Sequence, residues 1–231
     1  MLEDPGPSIP PEERAGIVRD GLGVGVATGA YGVSFGAVSV AAGLDVWQTC
    51  VLSLVMFTGA SQFALVGVLA SGGSAPSAAA TALLLGTRNT LYGLRLAPLL
   101  AWSGWRRAAA AHLLIDESTA MSVNRRSSPT ARLGFLSTGL AVFVLWNAAT
   151  LLGAVAGNAL GDPRTYGLDA AVGAAFLALL WPRLQGRAAG QERVVAVGAA
   201  AVALAAVPLV PSGVPVLAAG AVALLVGVLR R

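Results

Sequence analysis

At 231 residues, 56% hydrophobic and 11% charged, with a mean hydropathy of +0.74, the chain falls far below the ~25% charged content of soluble domains, and an ordinary soluble fold is excluded. The net charge of +4 and sequence pI of about 10.2 do not indicate nucleic acid, because every cation is arginine and most stand in short clusters between apolar runs. The clusters are Arg106-Arg107, Arg125-Arg126 with Arg132, Arg183, Arg187 and Arg193, and Arg230-Arg231, the pattern of cytoplasmic loops in a membrane protein.

The chain opens on an acidic, proline-rich stretch through Arg14 without the basic region of a signal peptide, so residues 1–16 are expected as a polar tail and the first apolar segment as retained. The apolar runs are continuous rather than alternating, which favours helices over a barrel. They predict an all-α polytopic membrane domain over 1–231, with the polar motifs in 17–123 and a second half in 124–231. Spans are expected at about 21–42, 47–70, 76–101, 134–158, 168–182, 194–209 and 213–229. Trp47, Trp102, Trp105 and Trp181 fall at span ends as interfacial anchors, whereas Trp146 lies mid-span and is expected to face protein. The stretch 108–123 reads as an eighth span, a re-entrant segment or a loop helix. Seven or eight spans both keep the clusters at 125–132, 183–193 and 230–231 cytoplasmic, with the C-terminus inside the cell.

In the first span Gly21, Gly25 and Gly29 repeat at four-residue spacing, followed by Gly32 and Gly36. Such ridges let helices approach closely in lipid. The alternative is an unwound stretch at 29–36 exposing backbone to a substrate, as in transporters with broken helices. Two spans also precede a Gly-Leu-Asp linker (43–45 and 167–169), with Gly29-Ala30 matching Gly153-Ala154, the trace a pair of internal repeats would leave.

Polar groups interrupt the second span at Thr58, Gly59, Ser61 and Gln62, between Phe57 and Phe63. Helix-to-helix hydrogen bonding is the plain alternative, but four small or polar residues together at mid-membrane favour a binding site. In the third span Arg88 is followed by Asn89, Tyr92 and Arg95. An arginine at a span centre costs ~2.5–3.5 kcal/mol on insertion scales, so Arg88 needs a carboxylate, a wet cavity or an anionic ligand. Arg95 is close enough to the end to reach the headgroups. Downstream, His112, Asp116 and Glu117 offer counter-ions and proton acceptors; one His with two carboxylates is a thin metal-ligand set, and no metal or other cofactor is expected. Solvated charges on a loop helix are the plain alternative. Trp146-Asn147 and Asn158 are assigned no role. Ser61 with His112 lacks any supporting hydrolase motif, so no enzyme is expected.

In order, Gly32-Val-Ser-Phe-Gly36, Ala41-Ala-Gly-Leu44, Phe57-Thr-Gly-Ala-Ser-Gln-Phe63, Arg88 with Leu91-Tyr92-Gly93 and Ala97-Pro98, and His112 with Asp116-Glu117 resemble the AzlC family of branched-chain amino acid permeases. The likeness covers roughly 15–122 and more loosely the rest; where the family commonly has His after the arginine, this chain has Asn89. The resemblance implies the large subunit of a two-component inner-membrane exporter of branched-chain and similar hydrophobic amino acids, driven by a proton or ion gradient, with a small AzlD-like membrane subunit as partner. On that basis Arg88, Tyr92, Thr58, Gly59, Ser61, Gln62 and Asn89 are the expected substrate-binding residues. Asp116, Glu117 and His112 are the expected coupling or counter-ion residues. A passive pore with Arg88 as its electrostatic barrier, or a structural subunit without a site, are the competing classes.

Overall fold

The computed structural model describes residues 9–160, 177, 180–181, 184–186, 190–210 and 214–229. The described residues form nine α-helices and no strand. The linker at 167–169 lies outside them, as does most of the expected span at 168–182.

Two long helices make the frame. α1 (Pro11–Ala41) and α7 (Ser128–Leu160) are each long and apolar enough to cross a bilayer. α1 takes in part of the expected polar tail because Pro11 suits a first helical turn and Glu12 and Glu13 favour a helix N-terminus. The two helices run in the same direction: along α1, Gly21 meets Ser137, Gly25 meets Ala141, Gly29 meets Leu145, and Gly36 meets Thr150 and Ala154. A Cβ at Gly25 would stand 2.6 Å from Ala141 Cβ, and one at Gly36 would collide with the Thr150 carbonyl oxygen. The glycines therefore let two backbones touch, the main source of helix attraction where lipid removes the hydrophobic drive. The unwound stretch considered at 29–36 is not observed; α1 continues through it with its glycine face covered by α7. Gly153, half of the echo with Gly29, faces the Val33 carbonyl in the same seam. The end where α1 and α7 begin is called the near end here, and the other the far end.

Between them one helix runs the full distance. α4 (Ala75–Leu100), about 39 Å long at 1.5 Å per residue, descends from the far end to the near end. There Arg132 Nε donates to Leu100 O at 2.7 Å, and Leu96 and Leu100 pack with Ala131 and Phe135.

The stretch expected as a single span over 47–70 is two helices, α2 (Val46–Val55) and α3 (Gly59–Ala70), with a reversal at 56–58. Asp45 and Gln48 form a capping box that starts α2 at the far end. α2 descends along α7 until Ser53 Oγ stands 3.5 Å from Thr150 Oγ1. α3 then climbs back along α4, joined to it by a short turn, with Ser61 beside Gly86 and Phe63 edge-on to Phe35. Because α2 leans on α7 and α3 on α4, the pair is a V.

The ambiguous 108–123 region belongs to a second V of opposite sense, α5 (Gly104–His112) and α6 (Asp116–Val123). α5 climbs from the near end, and Leu114, just past its end, rests against Gly93 of α4. α6 descends along α7, with Ser118 beside Gly139 and Met121 beside Gly134. The two reversals meet at mid-height, where the Phe57 and His112 ring centroids lie 6.1 Å apart. Phe35, Phe57, Phe63, Ile115, Val142 and Trp146 form the core around them. α8 (Gly190–Ala206) and α9 (Val214–Leu229) pack on each other, and Gly220 of α9 rests on Leu84 of α4.

A long helix followed by a V thus occurs twice in opposite directions, α1 with α2–α3 and α4 with α5–α6. Tyr31-Gly32 and Tyr92-Gly93 mark the long helices, Trp47 and Trp105 the first arms, and Ser61 and Ser118 the second arms.

Gly36→Val is expected to lower the thermal midpoint in detergent by an amount equivalent to about 1–3 kcal/mol or more, because backbone must move. Gly23→Val, which meets nothing within 4 Å, is the control and stays near the parent value.

Candidate functional site

A cavity of about 190 Å³ lies at mid-height where the Vs meet. The first V contributes Phe57, Thr58, Gly59, Ala60 and Phe63 to its wall, and the second Ile115, Asp116 and Glu117. α4 contributes Arg88, α1 Thr28 and Tyr31, and α7 Val142 and Trp146. The size is below the ~300–1,000 Å³ of drug-sized pockets and suits a small solute.

The charged side is an ion pair with a third member. Arg88 Nη2 lies 2.8 Å from Asp116 Oδ2, and the Tyr92 hydroxyl donates to Asp116 Oδ1 at 2.7 Å. Arg88 and Tyr92 are one helical turn apart on α4, so one carboxylate at the start of α6 spans both. Arg88 Nε is buried without a protein acceptor. The guanidinium therefore has donor capacity left after pairing with Asp116. Glu117 lies in the same wall as Thr28.

The other side is neutral and rich in donors. Thr58 precedes α3 in extended conformation without a side-chain cap, so the first amide groups of α3 are not claimed by it. Such a helix start favours negative charge, and here it lines the same cavity as Arg88. Phe57, Phe63, Val142 and Trp146 give the remaining wall an apolar character.

Of the expected site residues, Arg88, Thr58, Gly59, Asp116 and Glu117 share this cavity, and Tyr92 joins it through Asp116. Four lie elsewhere. Gln62 is fully buried, and its amide donates to Ser53 O at 3.2 Å and Met56 O at 2.6 Å, closing the first V by satisfying the end of α2. Its amide nitrogen is a tie, and its Oε1 is buried without a partner. Ser61, Asn89 and His112 line a second, more open chamber of about 500 Å³ beyond Phe57 and Thr58, which border both spaces. His112 packs its ring on Phe57 and Phe143 and ends α5, while Asp116 starts α6; the reversal between them removes the shared helix face that their spacing suggested. Among the described residues no His, Cys, Asp and Glu group is arranged to hold a metal. Thr28, Tyr31 and Val142 were not among the expected residues. The only sequence signal for them was the Tyr-Gly pair shared with Tyr92, and for Trp146 its mid-span position.

The family model described as "AzlC protein" matches residues 23–160, which contain every element of the cavity. A protein described as an uncharacterized membrane protein from Archaeoglobus fulgidus is 33% identical over 156 residues, 67% of this chain and 68% of that protein. Uncharacterized membrane proteins from two strains of Helicobacter pylori are 27% and 24% identical over 150 and 151 residues, each 64% of this chain and 65% of the relative. The matched part of the chain spans about two thirds of these curated relatives. No solved structure matches.

Gln62→Leu removes the side-chain donor from the Ser53 and Met56 carbonyls at the end of α2, of which Met56 O keeps the Thr58 amide, a loss of ~1–3 kcal/mol. Amide exchange at 56–62 is expected to quicken while that of α7 stays as it was. Unchanged exchange at the reversal would show that the tie does not hold the V.

Proposed function

The chain belongs to the AzlC family, and we propose that it is the large subunit of a two-component secondary transporter that exports branched-chain and similar hydrophobic amino acids. The observation that carries this is the meeting of three complementary surfaces in one small cavity. Arg88 and the start of α3 suit a carboxylate, Glu117 suits an ammonium group or a coupling proton, and Phe57, Phe63, Val142 and Trp146 suit an aliphatic side chain. A free amino acid carries those three features within a few ångströms of one another. Asp116 serves as the resting counter-ion of Arg88. A proton or other ion gradient supplies the drive, the reaction involves no covalent chemistry, and a small AzlD-like membrane subunit completes the transporter.

The fold and the charges support one membrane arrangement. Among the described residues, Arg14, Arg19, Arg106, Arg107, Arg125, Arg126 and Arg132 stand at the near end, whereas the far-end turns at 42–45 and 71–74 carry Asp45 and no cation. By the positive-inside rule the near end is cytoplasmic. α1, α4 and α7 cross the bilayer, and the two Vs enter from opposite faces and turn back at the middle. Non-helical backbone is tolerated at that depth because it is enclosed by protein.

Cells loaded with Val, Leu, Ile or Met dipeptides and expressing both subunits are expected to release the free amino acids faster than controls, with loss of the effect under an uncoupler. Release that only follows the amino acid gradient would favour a passive pore. Arg88→Lys is expected to cut the rate about tenfold or more, since an ammonium cannot reproduce the planar, multi-donor grip. Arg95→Lys, on an exposed position, is the matched control. Full export by Arg88→Lys would sink the carboxylate-clamp reading.

Reporter fusions give a separate check. Residues 10, 104 and 126 are expected on the cytoplasmic side and residue 72 outside. Straight spans at 21–42, 47–70 and 76–101 would instead put residues 10 and 104 on opposite sides.

A further inference from the structure

The two Vs are held in different ways. The first is tied internally by Gln62 and buried through aromatic packing on Phe35 and Trp146. The second is fastened at its tip by charge, through Asp116 at the start of α6 to Arg88 and Tyr92 on α4. Each V widens toward one end of the molecule only, and the cavity lies between their tips. Withdrawing one tip would open the cavity toward that end while the other tip still seals it.

We propose that the two Vs are the two gates of the cavity, and that the Arg88–Asp116 pair is the latch of the near-end gate, released when a substrate carboxylate takes Asp116's place on Arg88. The identity of that carboxylate rests on the transport reading above; the latch itself does not. Moving Asp116 away with nothing in exchange would leave the largely buried guanidinium without its ion-pair partner, which is costly. Among the described residues Asp116 is the ion-pair partner of Arg88, through the single nitrogen Nη2. An incoming carboxylate can share the guanidinium with Asp116 before displacing it, so the cation is never bare. The gate opens preferentially when occupied, because a bound carboxylate lowers that penalty. The far-end gate carries no such ion pair among the described residues; packing and neutral hydrogen bonds from Gln62 and between Ser53 and Thr150 hold it. The inverted repeat thus supplies two similar gates, and charge placed on one of them makes that gate selective.

The test uses the full chain in detergent with Cys50→Ser, removing the single native thiol. One reporter cysteine replaces Ser122 on α6, and in a separate protein another replaces Ser53 on α2; both side chains are fully buried and neither lines the cavity. The rate of labelling by a water-soluble maleimide is read with and without Asp116→Asn. Asp116→Asn is expected to raise the rate at Ser122→Cys about tenfold or more, the shift that losing a charge-assisted bond produces, and to leave Ser53→Cys within about twofold. Leucine added to the protein with Asp116 intact is expected to raise labelling at Ser122→Cys, and leucinamide, which lacks the carboxylate, is not. An unchanged rate at Ser122→Cys in the Asp116→Asn protein overturns the latch. So does an equal rise at both reporters, which would mean general loosening. A rise with Asp116→Asn but no response to leucine leaves the latch standing and overturns the substrate reading.

Discussion

Two parallel helices whose backbones touch, α1 and α7, constrain everything between them. Parallel neighbours in a bilayer require an odd number of crossings along the intervening chain, and the glycine seam from Gly21 to Gly36 leaves no freedom to tilt one helix away from the other. One pass or three would satisfy that parity, and the structure takes one: α4 runs against α1 and α7, while 46–70 and 104–123 each turn back as Vs toward the end they came from. The reversals fall at mid-height, and Arg88 of α4 stands where both tips arrive.

Much of this was legible in the residues, and the rest fails for identifiable reasons. The helical class, the extents of α4, α8 and α9 within a few residues, and the depth of Arg88 come directly from apolar runs and their breaks. The reversal at 56–58 does not, because hydropathy reports burial and says nothing of direction. Phe57 is as apolar at a turn as in a helix, and Thr58-Gly59 reads equally as a helix start and as a polar notch. The second V was harder still, since 108–123 is short for a span and holds His112, Asp116 and Glu117. α6 finds its shelter against α7, a tertiary fact, while no residue of α5 is buried.

The same distinction runs through the site. Arg88 announces its need for a partner by chemistry alone, and Asp116 and Glu117 were the candidate carboxylates in reach of the sequence. Deciding between them took geometry: Asp116 is the one that the Tyr92 hydroxyl and the Arg88 guanidinium both face. Helical spacing misled for Gln62 and His112. Gln62 shares a turn with Thr58, yet its amide points back to the end of α2 and donates to the Ser53 and Met56 carbonyls. His112 lost its apparent neighbour Asp116 because the chain reverses between them.

The asymmetry between the two halves carries the remaining weight. Equivalent places in the inverted units are held by Tyr31 and Tyr92 on the long helices and by the starts of α3 and α6 at the tips, yet Gly59-Ala60 begins one arm and Asp116-Glu117 the other. A helix start with no side-chain charge offers amide donors to an anion, and a helix start bearing two carboxylates offers acceptors to a cation or a proton. Both starts line one small cavity, with Asp116 facing Arg88 at 2.8 Å, so the charge that distinguishes the two tips sits where they meet. The difference between the tips lies in these few residues, on two units that share the order of a long helix followed by a V.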